Sequence, residues 1–142
     1  MKHVILAALM TLGLASAAQA CGENLEITDA WVRPTMEGKD MTAAFFKVKN
    51  NGGEAHKLTS VSLQDAIGEI HTTVEENGVF RMRHALEVEI PAGETVEFRP
   101  GSFHIMLMKQ KQPLKEGDTA TMTLHCENGR SVTTTMPVKS RP

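Results

Sequence analysis

From residue 25 onward the chain repeats one pattern: short runs of alternating apolar and polar positions, each closed by a cluster of Gly, Asn or Pro. Period-two alternation is the signature of half-buried β-strands. "NLEITDAWVR" alternates through Leu25, Ile27 and Asp29, and "MTAAFFKVKN" is rich in β-formers and stops at "NNGG". "HKLTSVSL" and "IGEIHTTV" follow, then the turn "EENG". "VFRMRH" sets Val79, Arg81 and Arg83 against Phe80, Met82 and His84. "LEVEI" runs into "PAGE", "TVEFR" into "PGS", and "FHIMLMK" into the loop "QKQPLKEGD". "TATMTLHC", the turn "ENGR" and "SVTTTMPVK" complete the pattern. About nine short strands with turn residues between them predict an all-β fold, an antiparallel sandwich or barrel with Greek-key connections. No helix longer than a turn is supported, and no linker or repeat divides the region.

The first 20 residues break the pattern. Lys2 opens a basic start, an apolar run extends from Val4 to Leu14, and "ASAAQA" ends in small residues. This reads as a cleaved signal peptide over residues 1–20, too short to span a bilayer, ahead of one domain over residues 21–142. Export changes how the two cysteines, Cys21 and Cys126, are read. In an oxidising compartment they form a disulfide if their sulfurs meet, and spacing alone does not show that they do. Alternatively Cys21 is the lipidated first residue of a lipoprotein, although "AAQA" lacks the Leu expected before such a site. The formal net charge is −2, with no basic stripe, which argues against nucleic acid as a partner. No second apolar run is long enough to cross a membrane.

The candidate chemistry begins in "SFHIMLMK". His104, Met106 and Met108 share one strand face, and Phe103, Ile105 and Leu107 take the other as core anchors. Imidazole and thioether are the donors that suit Cu(I). The His-x-Met pair alone is weak, since 6 His and 9 Met in 142 residues produce about 0.4 such pairs by chance. Two upstream residues sharpen it: His71 in "EIHTT" and Met82 in "FRMRH" complete the arrangement His71-x10-Met82-x21-His104-x-Met106. That four-point spacing arises by chance roughly once in a thousand sequences of this composition.

With these residues the chain resembles the periplasmic Cu(I)-binding PCuAC family, copper chaperones associated with the CuA centre of cytochrome c oxidase. "AWVR", "FKVKNNGG", "EIHTT", "GVFRMR", "IPAGETVEFRPGSFHIMLM" and "PLKEGD" look like family segments, so the resemblance spans about residues 25 to 138. It implies a cupredoxin-like β-barrel and a neutral Cu(I) site made by His71, Met82, His104 and Met106. It also implies a periplasmic location, and as partners the CuA-bearing oxidase subunit or Sco-type assembly proteins. Two departures are visible. Thr72 stands where many members carry a second Met, and the ending "PVKSRP" lacks the His/Met-rich tail of some members. Without a thiolate, such a site should release copper readily, and protonation of either His should weaken it below about pH 6.5.

The remaining candidates are secondary. Met108 shares the ligands' face but lies beyond the motif. His84 either supports a ligand or is a surface residue. Met36 and Met41 flank a loop, "MEGKDM", and either shield or supplement copper. His56 and His125 read as plain surface residues, and Trp31 as a core anchor. A blue-copper electron carrier would need a thiolate with a His beyond it, and no His follows Cys126. No nucleophile elbow, phosphate loop or metalloprotease pair supports an enzyme. A copper buffer without a dedicated recipient would need the same ligands as a chaperone.

Overall fold

The computed structural model describes residues 21–141; the signal-peptide reading of residues 1–20 lies outside the described residues. After a single helical turn, α1 (Cys21–Asn24), ten strands follow, one more than the expected nine. They are β1 (Leu25–Val32), β2 (Thr42–Asn50), β3 (His56–Leu63), β4 (Ile67–Glu76) and β5 (Val79–His84). Then come β6 (Val88–Ile90), β7 (Thr95–Phe98), β8 (His104–Met108), β9 (Thr119–Cys126) and β10 (Ser131–Pro137). Six strands form one antiparallel sheet, ordered β1-β2-β8-β4-β5 with β7 also pairing with β2. The other four form a second sheet, ordered β10-β9-β3-β6. The all-β expectation holds.

The core lies between the sheets, where alternate residues of each strand meet. Ala44, Phe46 and Val48 of β2, Ile70 of β4 and Ile105 and Leu107 of β8 point inward. They meet Leu58 of β3, Ile90 of β6, and Met122 and Leu124 of β9. Phe46 stacks on Phe98 with ring centroids 4.4 Å apart. Full burial of such side chains contributes about 1.5–3 kcal/mol each. Cys21 and Cys126 form a disulfide, with Cα atoms 6.3 Å apart, so the pair closes a ring across 105 residues. A ring of that size stabilises by roughly 4–5 kcal/mol in the chain-entropy account. The bridge engages both sulfurs, which removes the thiolate a blue-copper site would need.

One irregularity changes the face expected of Trp31, which is buried as an anchor should be. Strict alternation along β1 would place Trp31 on the core face with Leu25 and Ile27. A β-bulge between Thr28 and Trp31, with Asp29 at φ 53°, shifts the register by one residue. Ile27 pairs with Val48 on the core face, but Trp31 pairs with Phe45 on the outer face. An extra residue in one strand inverts every later side chain. Trp31 is still buried, against Phe45 at 4.8 Å and beneath the Arg141 guanidinium at 5.2 Å, but outside the main core. His56 is a correction. Expected at the surface, it is buried on the core face of β3, opposite Ile90. His125 is half-buried, its Nε2 2.8 Å from Ser62 Oγ.

Candidate metal centre

The pairing order decides what the outer face of the six-stranded sheet carries. β8 lies between β2 and β4, with Met106 opposite Ala43 on one side and Glu69 on the other. His71 of β4 is directly opposite His104 of β8 and also directly opposite His84 of β5. Directly opposed residues share a face, so three imidazoles form a row across three strands. The ring centroids of His71 and His104 are 5.8 Å apart, as are those of His71 and His84. Met82 is opposite Thr73, one step further along the same face.

β4 pairs with β8 only from Ile67 to His71, and with β5 only from His71 to Glu76. Beyond His71 the β4–β5 hairpin is therefore a two-stranded arm that no third strand supports. Its turn is Asn77-Gly78 with both residues at positive φ (52° and 78°), as a type I′ turn requires. Arg83 and Glu76 join the two strands by a charged hydrogen bond. Every residue of β5 is exposed, and Met82 is 65% exposed. An isolated hairpin is marginally stable in water, so Met82 rides on the least supported part of the sheet.

His104 is held in the opposite way. "RPGS" folds as a turn closed by Ser102 N–H donating to the Arg99 carbonyl at 3.0 Å, with Pro100 second and Gly101 third at φ 84°. Proline and glycine in that order suit a type II turn. The turn presents the Ser102 carbonyl to His104 Nδ1 at 3.0 Å. A carbonyl only accepts, so Nδ1 carries the proton and Nε2 carries the lone pair. Nε2 is buried and has no protein hydrogen-bond partner. Burial holds the His104 pKa below the ordinary histidine value; the Ser102 carbonyl opposes this, and His71 and Arg33 add to the lowering. The ring is thus biased to stay neutral with a free lone pair, the state in which imidazole binds metal.

His71 has its own orienting partner, one that sequence reasoning missed. Its Nε2 lies 2.8 Å from Glu69 Oε2. In the neutral ring Nε2–H donates to the carboxylate, which leaves the lone pair on Nδ1. The hydrogen bond to His71 holds the Glu69 carboxyl below its ordinary range; burial opposes this, and the charges of His84 and His71 assist it. A carboxylate behind a histidine is the usual support for a metal-bound imidazole. The signal for Glu69 was its place two residues before His71 on a strand, hence on the same face.

A cavity of about 260 Å³ opens beside this row. Met106 and His104 of β8 and Ala43 of β2 line it, with Thr73 and Met82 of the arm and Pro100 and Gly101 of the turn. Arg33, Pro34, Met36, Met41 and Thr42 complete it. Other surface clefts are as large; the lining sets this one apart, with four thioethers and one imidazole. The structure thus gathers Met82, His104 and Met106 around one cavity. His71 stands beside His104, outside the lining. His84 continues the row at the exposed edge, and half-buried Met108 follows Met106 along β8. Among the described residues, no three His, Cys, Asp or Glu side chains are grouped so as to hold a metal ion. Soft donors distinguish the site.

Comparison with known proteins bears on the family and the fold. Residues 25–138 match the family model described as "LpqE-like: Putative lipoprotein LpqE-like". A protein of Leifsonia xyli subsp. xyli described as "Putative lipoprotein Lxx21020" is 37% identical over 131 residues, covering 89% of this chain and 78% of that protein. The copper-bound PCuAC domain from PmoF2 superposes with a TM-score of 0.69 at 22% identity, over 83% of this chain and 94% of that domain. The solution structure of CuI-DR1885 from Deinococcus radiodurans superposes with a TM-score of 0.65 at 29% identity, over 87% of this chain and 83% of that one. The fold is the cupredoxin-like fold of PCuAC domains. The chain belongs to the LpqE-like family.

Proposed function

We propose that this member of the LpqE-like family is an exported Cu(I) carrier, not an enzyme. It holds one ion through His71, Met82, His104 and Met106 and passes it towards the CuA centre of cytochrome c oxidase. The observation that carries the reading is the buried, unpartnered Nε2 of His104, on a ring that lines a methionine-walled cavity. A desolvated lone pair without a partner costs about 1–3 kcal/mol, and a bound ion removes that cost. Imidazole and thioether favour Cu(I), and two of the four proposed donors need no deprotonation. The copper-bound relatives of the same fold support this reading. The disulfide and the lipoprotein descriptions of the family support export to an oxidising compartment, the periplasm. In that reading Cys21 serves the disulfide and not a lipid.

The division of labour follows from the geometry. His104 and Met106 lie on a central strand paired on both sides and act as the fixed half. Met82, on the unsupported arm, acts as the movable half that closes over the ion or opens to release it. His71, at the base of the arm, connects the two.

The test is anaerobic Cu(I) titration against a chromogenic chelator. One tightly bound equivalent is expected, weakened by each of His71→Ala, Met82→Ala, His104→Ala and Met106→Ala. Unchanged affinity in His104→Ala or Met106→Ala overturns the ligand set. Transfer of copper to an apo CuA domain, followed by NMR, then separates a carrier from a buffer. No transfer favours the buffer, and transfer supports delivery to the oxidase, directly or with Sco-type proteins.

A further inference from the structure

The cavity holds more thioethers than the four-ligand site uses. Met36 and Met41 line it from the segment between β1 and β2. Both are exposed, 69% and 47%. Exposed methionines are unusual, because the side chain is apolar and contributes most when buried. Two of them at the rim of one cavity that already contains Met82 and Met106 call for an explanation.

The backbone there is built to hold them. Thr35 N–H donates to the Leu114 carbonyl at 2.9 Å, and Leu114 N–H donates to Thr35 Oγ1 at 2.9 Å. Gln110 N–H donates to the Asp40 carbonyl at 2.9 Å, so the segment is tied down beside both methionines. Between the ties, Lys39 N–H donates to the Met36 carbonyl at 3.0 Å, with Gly38 at φ 73°. This tight turn reverses the chain and returns Met41 to the cavity that Met36 lines. Met41 also precedes Ala43 by two residues, and Ala43 is opposite Met106. An extended continuation of β2 therefore places Met41 on the face that carries Met106.

The geometry points to a second, weaker Cu(I) position at the cavity mouth. Met36 and Met41 supply its thioethers, and copper occupies it on the way into or out of the inner site. This deepens the carrier reading and rests on it. Two neutral thioethers without an imidazole bind Cu(I) more weakly than a four-donor set, which suits an entry and exit station. Met36 and Met41 are exposed where His104 is buried, so an incoming ion meets Met36 and Met41 before His104. Met82, equally exposed on the arm, is the donor both positions can share.

The test uses the protein labelled with ¹³C at the methionine methyl groups and titrated anaerobically with Cu(I), then with Ag(I) as a soft monovalent substitute. The second equivalent is expected to move the Met36 and Met41 methyl resonances. In the double variant Met36→Leu/Met41→Leu the second equivalent should be lost while the first remains. Copper transfer to a chelator should slow severalfold. Both residues are exposed and leucine keeps the apolar bulk, so the variant should fold. Met36 and Met41 resonances that stay still through the second equivalent overturn the station, as does an unchanged transfer rate in the double variant. The Met82 and Met106 methyls, read on the first equivalent, report separately on the inner site. A failure of the carrier reading is thereby distinguished from a failure of the station.

Discussion

Two histidines in this protein look alike by burial and by hydrogen bonding. His104 and His56 are each 4% exposed, and each has a buried Nε2 with no protein partner. Their surroundings differ. His56 starts β3 on the core face of the four-stranded sheet, opposite Ile90. His104 lies on the outer face of the other sheet, beside His71 and over a cavity lined with methionine sulfurs. An unpartnered buried nitrogen is a cost in both places. At His104 a methionine-lined cavity adjoins the ring, and an ion bound there would remove the cost. The lesson is that burial of a polar atom marks a candidate, and the company it keeps decides between a site and a packing compromise.

The sharpest way to break this comparison is to substitute each histidine and measure Cu(I) affinity. His104→Ala is expected to weaken binding by on the order of 100-fold or more, since even supporting residues contribute about 10–100-fold. His56→Leu should leave affinity within about twofold, because it lies on the other sheet and does not line the methionine cavity. Equal effects at the two positions would end the distinction. A smaller loss, about tenfold, is expected for Glu69→Gln in the same competition titration. Gln keeps the bulk but removes the charge that orients His71. If Glu69→Gln binds as tightly as wild type, His71 needs no carboxylate behind it.

The arm offers a comparison of mobility. Amides of residues 72–83 should exchange with solvent much faster than those of β8 without copper, because a two-stranded ribbon opens locally. Cu(I) should slow exchange in the arm and change β8 little. Protection of the arm that is identical with and without metal would remove Met82 from the closing role.

The last prediction concerns pH. The folded-state pKa of His104 is lowered from its ordinary value of 6.5, chiefly by burial. The unfolded chain therefore takes up a proton first as pH falls. Stability carried by neutral His104 is present above about pH 6.5 and is lost as pH falls through the lower folded value. Urea midpoints of the apo protein at about pH 7 and about pH 5 should differ in that direction, and His104→Leu should reduce the difference. In the proposed site the same lowering would delay proton competition for copper at this ring. A midpoint that rises on acidification, or a difference untouched by His104→Leu, contradicts the assignment.

Much of the site was legible along the chain because strand periodicity is local. Alternation placed His104 and Met106 on one face and Ile105 and Leu107 on the other; the latter two are 0% and 1% exposed. "RPGS" and "EENG" announced their turns by the residues that positive φ and proline geometry require. Trp31 is buried as an anchor, but its face was not legible because a one-residue bulge inverts alternation without changing composition. His56 was misread because histidine is more often exposed, and only the neighbouring strand covers it. Glu69 escaped notice because its partner is a side chain whose role depends on pairing with another strand.

The sequence by itself determined the donor types, their spacing, the alternation along β8 and the turns between strands, all of which depend on neighbours a few residues away. The tertiary structure alone decided that β8 lies between β2 and β4 and that His71 is directly opposite His104. It also decided that Met36 and Met41 meet Met82 and Met106 at one cavity, and that His104 Nε2 is sealed from water. The reason is physical. Alternation is a property of one backbone, whereas adjacency of strands is set by hydrogen bonds and buried area shared between segments dozens of residues apart.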